Sequence, residues 1–203
     1  MRFAALAASI ALGLAATAAR AQAQTPGWYA DFGAGHSSAH GGALPLEAVT
    51  PDGTLTSFSY SPLSGGDTMY TARGGLRLAP WLAVEAAYMH LGDHSLQALT
   101  LDNPGTVMSF DARARSGGGA VVGILPLEPV DVYARIGFAR TQVKGDAVSA
   151  GGTAMHVDER FNEAYYGAGV RWNVTRELGV FAEYEKHDKL DLDGYVVGMQ
   201  WRF

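Results

Sequence analysis

Eight stretches of this chain alternate large apolar side chains with polar or small ones at a period of two. Residues i and i+2 share a face only in an extended strand, so the pattern predicts eight strands. The first, Trp28 to His36, sets Trp28, Ala30, Phe32 and Ala34 against Tyr29, Asp31, Gly33 and Gly35. The second, Tyr70 to Leu78, sets Ala72, Gly74, Leu76 and Leu78 against Arg73, Gly75 and Arg77. The third, Leu82 to His90, sets Leu82, Val84, Ala86 and Tyr88 against Glu85. In the fourth, about Phe110 to Leu125, Asp111, Arg113 and Arg115 share one face; Ala112, Ala114, Ala120, Val122 and Ile124 share the other.

The fifth, Val130 to about Arg140, opposes Val132, Ala134, Ile136 and Phe138 to Tyr133 and Arg135. The sixth, Glu163 to Trp172, opposes Tyr166, Ala168, Val170 and Trp172 to Glu163 and Arg171. The seventh, Leu178 to His187, opposes Val180, Ala182 and Tyr184 to Phe181, Glu183 and Glu185. The eighth is the tail from Gly194 to Phe203. Tyr195, Val197, Met199, Trp201 and Phe203 point one way there, and Val196, Gly198, Gln200 and Arg202 the other. Each stretch is about the 9–11 residues that a tilted membrane strand requires.

Connections alternate in length. A few residues around Pro80, Pro129 and Asn173 join strands two to three, four to five and six to seven. Long Gly/Ser/Asp-rich segments near 37–69, 91–109 and 141–162 join the others, apart from a short last loop around Asp188 to Asp193. Short turns at one end and long loops at the other are the pattern of an outer-membrane barrel, with the turns on the periplasmic side. An even strand count then puts both termini in the periplasm. The tryptophans agree: Trp28, Trp81, Trp172 and Trp201 all fall at the turn end. Tyr70, Tyr88, Tyr184 and Tyr195 fall at the other. Amphipathic rings belong at the two interfaces of a bilayer. The expected fold is all-β: an eight-stranded antiparallel up-and-down transmembrane barrel closed by the C-terminal strand.

A magnitude decides which face is the lumen. An Arg or Lys on the lipid face costs about 2–4 kcal/mol near the midplane. The expected lumen set is therefore Asp31, Arg73, Arg77, Glu85, Asp111, Arg113, Arg115, Arg135, Glu163, Arg171, Glu183, Glu185 and Arg202. An eight-stranded barrel is just wide enough to be filled by side chains. The signs nearly balance, which implies a packed network of ion pairs, because lone buried charges are costly. Gly75, Gly137, Gly167, Gly169 and Gly198, with Gly117, Gly119 and Gly123, are expected to make room for the arginines.

Composition adds an address and removes some partners. Met1-Arg2-Phe3, an apolar run to about Ala19 and small-x-small sites at Ala19-Arg20-Ala21 and Ala21-Gln22-Ala23 have the layout of a secretory signal. The expected division is a signal peptide over 1–21, cleaved as late as 23, and a barrel domain over 27–203. Losing Arg2 and Arg20 leaves 13 basic against 20 acidic residues, a net charge of −7. No basic footprint for nucleic acid remains. There is no cysteine, hence no disulfide framework.

The strand pattern, loop alternation and final Phe203 resemble the OmpA/OmpX-type eight-stranded outer-membrane β-barrel family, the porin-like outer membrane protein β-barrel domain. The resemblance covers about residues 27–203. It implies that Phe203 ends an assembly signal read by the barrel assembly machinery. It also implies outer-membrane lipid and lipopolysaccharide as partners, and roles in envelope integrity or surface interaction through external loops.

Chemistry is sparse. His36, His40, His90, His94, His156 and His187 all fall at external strand ends or loops and read as scattered surface histidines. A lipid A-modifying enzyme would need a Ser/His/acid set. Only His36-Ser37-Ser38 and His90 with nearby acids offer one, in an order unlike that class. No catalytic, cofactor or metal site is expected. A narrow pore for small solutes is the remaining alternative to a non-enzymatic surface barrel.

Overall fold

The computed structural model describes residues 26–39, 46–49, 55–62, 66–100, 107–148 and 154–203. The expected signal segment, 1–21, lies outside them. Ten strands are present among the described residues: β1 (Gly27–Ala39), β2 (Leu46–Val49), β3 (Leu55–Pro62), β4 (Gly66–Ala79), β5 (Leu82–Thr100), β6 (Val107–Leu127), β7 (Val130–Val148), β8 (Ala154–Asn173), β9 (Leu178–His187) and β10 (Leu192–Arg202). Eight of them form a closed antiparallel ring in the order β1-β4-β5-β6-β7-β8-β9-β10. The last strand returns to the first, from Tyr29 opposite Arg202 to Ala39 opposite Leu192. Closure satisfies every ladder without leaving an edge, as a bilayer core demands. No helix among the described residues is long and apolar enough to cross a membrane; the crossing is made by strands.

One end carries the tight connections: Pro80-Trp81, Glu128-Pro129 and the 174–177 bend, where the Leu178 amide donates to Thr175 Oγ1 at 2.9 Å. The opposite end is uneven. β6 and β7 continue for about ten residues past the level of Gly117, or roughly 30 Å of extended chain. β5 and β8 run alongside, and β3 adds to the outer part of β5 with β2 beyond it. Much of the segments expected as loops, 91–109 and 141–162, is therefore strand. The expectation stopped the strands at membrane length. The ladder goes on because its alternation and hydrogen bonds do not need lipid.

Outside, twenty-two large apolar side chains of the described residues are exposed. Among them are Phe32, Val84, Ile136, Phe138, Val170, Val197 and Met199. A soluble monomer rarely exposes a contiguous apolar patch larger than a few hundred Å²; here the apolar surface forms a belt. Trp28, Trp81, Trp172 and Trp201 bound it at the turn end. Tyr70, Tyr88, Tyr166 and Tyr195 bound it at the other end, with Tyr184 packed on Tyr195 at 5.3 Å between ring centres. The rows are six residues apart in β8 and in β10, about 20 Å along the strand. That is the scale of a lipid-facing band.

Strand faces follow the expected alternation in seven of the eight crossings. The fourth is reversed. In β6, Ala114, Ser116, Ala120, Val122 and Ile124 are buried in the lumen, while Val121 is exposed to the outside. The run Ala120 to Leu125 is apolar on both faces, so it carries no direction of its own. The charges that seemed to set its direction lie past the tyrosine row, where lipid does not penalise them.

Candidate functional site

The lumen is filled by charge and aromatic rings in three layers. The central layer is anchored by Arg135 of β7. Its Nη1 lies 3.0 Å from Glu85 Oε2, its Nη2 lies 2.8 Å from Glu183 Oε2, and Nη1 is 4.0 Å from Glu185. Arg73 of β4 bonds Glu183 at 3.2 Å and also Glu185. None of these five side chains has any exposed surface. Two tyrosines complete the acceptors: Tyr29 donates to Glu85 and Tyr133 to Glu183, each at 2.7 Å. Three carboxylates thus share two guanidiniums and two phenols.

The layer toward the tyrosine row is neutral apart from one pair. Ser116 and Thr141 hydroxyls meet at 2.8 Å, Thr141 donates to Glu163, and His187 Nδ1 lies 3.1 Å from Glu163 Oε1. His187 is fully buried and stacks on Tyr165 at 5.6 Å. It was expected on the surface. Its strand ends there, but its odd number puts it on the lumen face with Glu183 and Glu185. His36 faces outward, and His90 stacks on Tyr70 at 6.2 Å.

The layer at the tryptophan row is basic. Arg77, Arg171 and Arg202, from β4, β8 and β10, surround Asp131, each 3.7 Å from its Oδ2. Asp31 is buried nearby. Asp131 was missing from the expected set, although its alternation with Tyr133 and Arg135 was a sufficient signal. Gln200 was read as inward but not singled out, and its Oε1 accepts from Arg202 Nε at 3.0 Å.

Of the thirteen residues expected inside, ten are placed on the lumen face: Asp31, Arg73, Arg77, Glu85, Arg135, Glu163, Arg171, Glu183, Glu185 and, half-buried at the mouth, Arg202. Asp111 lies on β6, but its side chain is outside the described residues. Arg113 and Arg115 are corrected: both are exposed on the outer face. Arg115 pairs in register with His90, two residues beyond the Tyr88–Gly117 level, so its charge sits past the tyrosine row.

The glycines serve a different purpose from the one expected. Gly117, Gly119 and Gly123 face outward. The inward ones make room for rings. A Cβ at Gly75 would fall 2.2 Å from the Tyr29 ring, at Gly137 2.5 Å from Tyr165, at Gly169 2.7 Å from the Tyr133 hydroxyl, and at Gly198 2.6 Å from Phe181. Among the described glycines, Gly167 and Gly179 have arginine within reach, Arg135 and Arg171 respectively.

The reversal of β6 assembles a surface that the sequence did not reveal. Arg113 and Arg115 of β6, Arg140 and Lys144 of β7 and Arg160 of β8 are all exposed on the outer face, Arg140 at the Tyr88–Gly117 level and the others beyond it. The register brings them together: Arg115 faces Gln142, which faces Arg160, and Arg113 faces Lys144. Two carboxylates lie among them. Asp93 binds Arg113 Nε at 2.8 Å, and Asp158 lies 3.6 Å from Lys144 and 3.8 Å from Arg160. The bond from Arg113 holds the Asp93 carboxyl below the usual carboxylate range, and the amide of Gln142 does the same for Asp158. A bulge between His90 and Gly92 turns Asp93 outward, and the left-handed φ of +105° there suits glycine. Among the described side chains of this face, five cations stand against two carboxylates.

A closed eight-stranded barrel with an apolar belt between aromatic rows defines a bacterial outer-membrane protein. The chain belongs to the family described as "Outer membrane protein beta-barrel domain", whose model matches residues 5–203. It is similar in fold to the outer membrane protein OprG of Pseudomonas aeruginosa, at 10% identity and a TM-score of 0.58, over 87% of this chain and 96% of that one. It is also similar to the N-terminal barrel of OprF from the same organism, at 11% identity and a TM-score of 0.55, over 90% of this chain and 100% of that one. Ail of Yersinia pestis matches at 15% identity and a TM-score of 0.49, over 88% and 100%. No curated protein matches the sequence.

Proposed function

We propose that this is a non-enzymatic barrel of the outer membrane. Both its termini face the periplasm, and its β6–β8 wall binds the phosphate groups of lipopolysaccharide in the outer leaflet. The observation that carries this reading is the basic patch of Arg113, Arg115, Arg140, Lys144 and Arg160. It faces outward, from Arg140 at the Tyr88–Gly117 level to Arg160, six residues beyond Tyr166. Headgroup phosphates lie on that side of the apolar belt, and arginine matches phosphate with its paired donors. The orientation rests on the short turns and the tryptophan row at one end and the tall strands at the other. Residues 1–21 serve export in this reading, and the strand ending at Phe203 is what the assembly machinery engages.

Two features support a non-enzymatic, non-conducting reading. His36 and Ser37 lie on opposite faces of β1, and the Ser37 hydroxyl donates to the Leu91 carbonyl at 2.6 Å, so they make no dyad. The central lumen layer is closed by five fully buried charged side chains.

The test is lipopolysaccharide binding by nanodisc-embedded protein, with intact and with dephosphorylated lipid A. A basic residue near an anionic surface contributes about 1 kcal/mol. Replacing Arg115, Arg140 and Arg160 by Ala should therefore weaken binding to intact lipopolysaccharide on the order of 100-fold. It should barely change binding to the dephosphorylated form. Equal affinity of variant and native protein for the intact lipid would overturn the proposal.

A further inference from the structure

We infer that the lumen mouth at the tryptophan row is a binding site for a small soluble oxyanion, a phosphate or phosphate monoester. Arg77, Arg171 and Arg202 converge on one atom, Asp131 Oδ2, each at 3.7 Å. That distance is beyond hydrogen-bond reach, and this buried oxygen has no hydrogen-bond partner among the described residues. Three guanidiniums are thus held around a carboxylate that none of them grips.

Arg202 donates to Asn173 Oδ1 and Gln200 Oε1, both neutral acceptors, so these bonds leave its charge in place. Arg171 lies 4.9 Å over the Tyr133 ring. Its side chain is 2% exposed, and its Nε has no hydrogen-bond partner among the described residues. A buried guanidinium with an idle donor is costly, and an incoming anion would satisfy it.

A cavity of about 730 Å³ opens onto these groups. Its wall holds Arg77, Arg171, Arg176 and Arg202, with Glu128 the one acidic side chain in the lining. The volume is far larger than a bare phosphate and lies within the range of small-molecule sites. It suits a phosphate carried on a small organic body. The donors face the lumen and not the lipid belt, so the ligand arrives from solution. In the orientation proposed above, that solution is the periplasm.

The site is tested on the full refolded barrel in non-ionic detergent by following arginine Nε–Hε resonances. Inorganic phosphate and glycerol phosphate are titrated at constant ionic strength, with chloride as the control. The Arg171 and Arg202 signals should shift saturably with both phosphates and not with chloride. Arg135, fully buried in the central layer against Glu85 and Glu183, should report neither. Tighter binding of glycerol phosphate would assign the volume to an organic body, and equal binding to phosphate alone. Arg202→Gln should weaken binding at least 10-fold. Asp131→Asn removes the competing carboxylate and should tighten it several-fold, where a merely structural Asp131 would give weaker binding. Absence of a saturable shift in the native protein would overturn the inference whether or not the variants fold, as would weakened binding in folded Asp131→Asn.

Discussion

Arg135→Met isolates the energetics of the lumen. The replacement keeps an unbranched apolar stem and deletes the guanidinium that bridges Glu85 at 3.0 Å and Glu183 at 2.8 Å. Glu183 and Glu185 would still have Arg73, and Glu183 also Tyr133. Glu85 would keep only the Tyr29 hydroxyl. One carboxylate is then stranded without exposed surface. Removing one partner of a buried pair costs about 3–5 kcal/mol, most of it from the charge left behind. Adding Glu85→Gln removes that charge and keeps an oxygen for Tyr29 to donate to. The double variant should therefore recover more than half of the loss. Urea unfolding in lipid vesicles, read by tryptophan fluorescence, measures both, because all four tryptophans sit on the lipid-facing surface. A loss below about 1 kcal/mol for Arg135→Met, or no recovery on adding Glu85→Gln, would refute the account of a tightly coupled central layer.

Gly137→Ala should destabilise the barrel by about 1–3 kcal/mol in the same assay, because its Cβ meets the Tyr165 ring at 2.5 Å and the Gly119 carbonyl at 2.6 Å; the same change at outward Gly74, where nothing lies within 4 Å, should be silent. Arg113→Gln should return the Asp93 carboxyl upward toward the ordinary carboxylate range, read by NMR titration. In the native chain that pair contributes fully above the ordinary carboxylate range, and the contribution is lost as pH falls through the lowered value. Deleting Phe203 should reduce surface levels in cells more than it reduces unfolding stability in vitro, since one interfacial ring contributes only a few kcal/mol.

The alternation in seven segments was enough to place ten lumen charges, because each of those strands has one face that lipid cannot accept. It failed in the fourth segment for a physical reason. Ala120 to Leu125 is apolar on both sides, so direction was borrowed from Arg113 and Arg115 as if they lay in the bilayer. Nothing in a two-residue period says where the membrane stops, and β6 runs on past it. The bulge at Gly92, which re-aims Asp93, was invisible for the same reason: a single inserted residue leaves both flanking patterns intact. Asp131 was legible and overlooked, being adjacent to a turn. The pairing of inward glycines with Tyr29, Tyr133, Tyr165 and Phe181 was not legible. It depends on which strands are neighbours and at what register.

The central claim is that one face of each strand meets lipid and the other fills the lumen, with β6 in its observed direction. Adjacent native methyl groups test it without mutation. Val121 and Val122 lie on opposite faces of β6, as do Val196 and Val197 of β10, with Ile136 outward and Ile124 inward. In nanodiscs, cross-relaxation from lipid acyl chains should reach the methyls of Val121, Ile136 and Val197 and leave Val122, Ile124 and Val196 dark. Lipid contacts at Val122 and Ile124 in place of Val121 would reverse β6, and contacts shared equally by both faces would contradict the barrel itself.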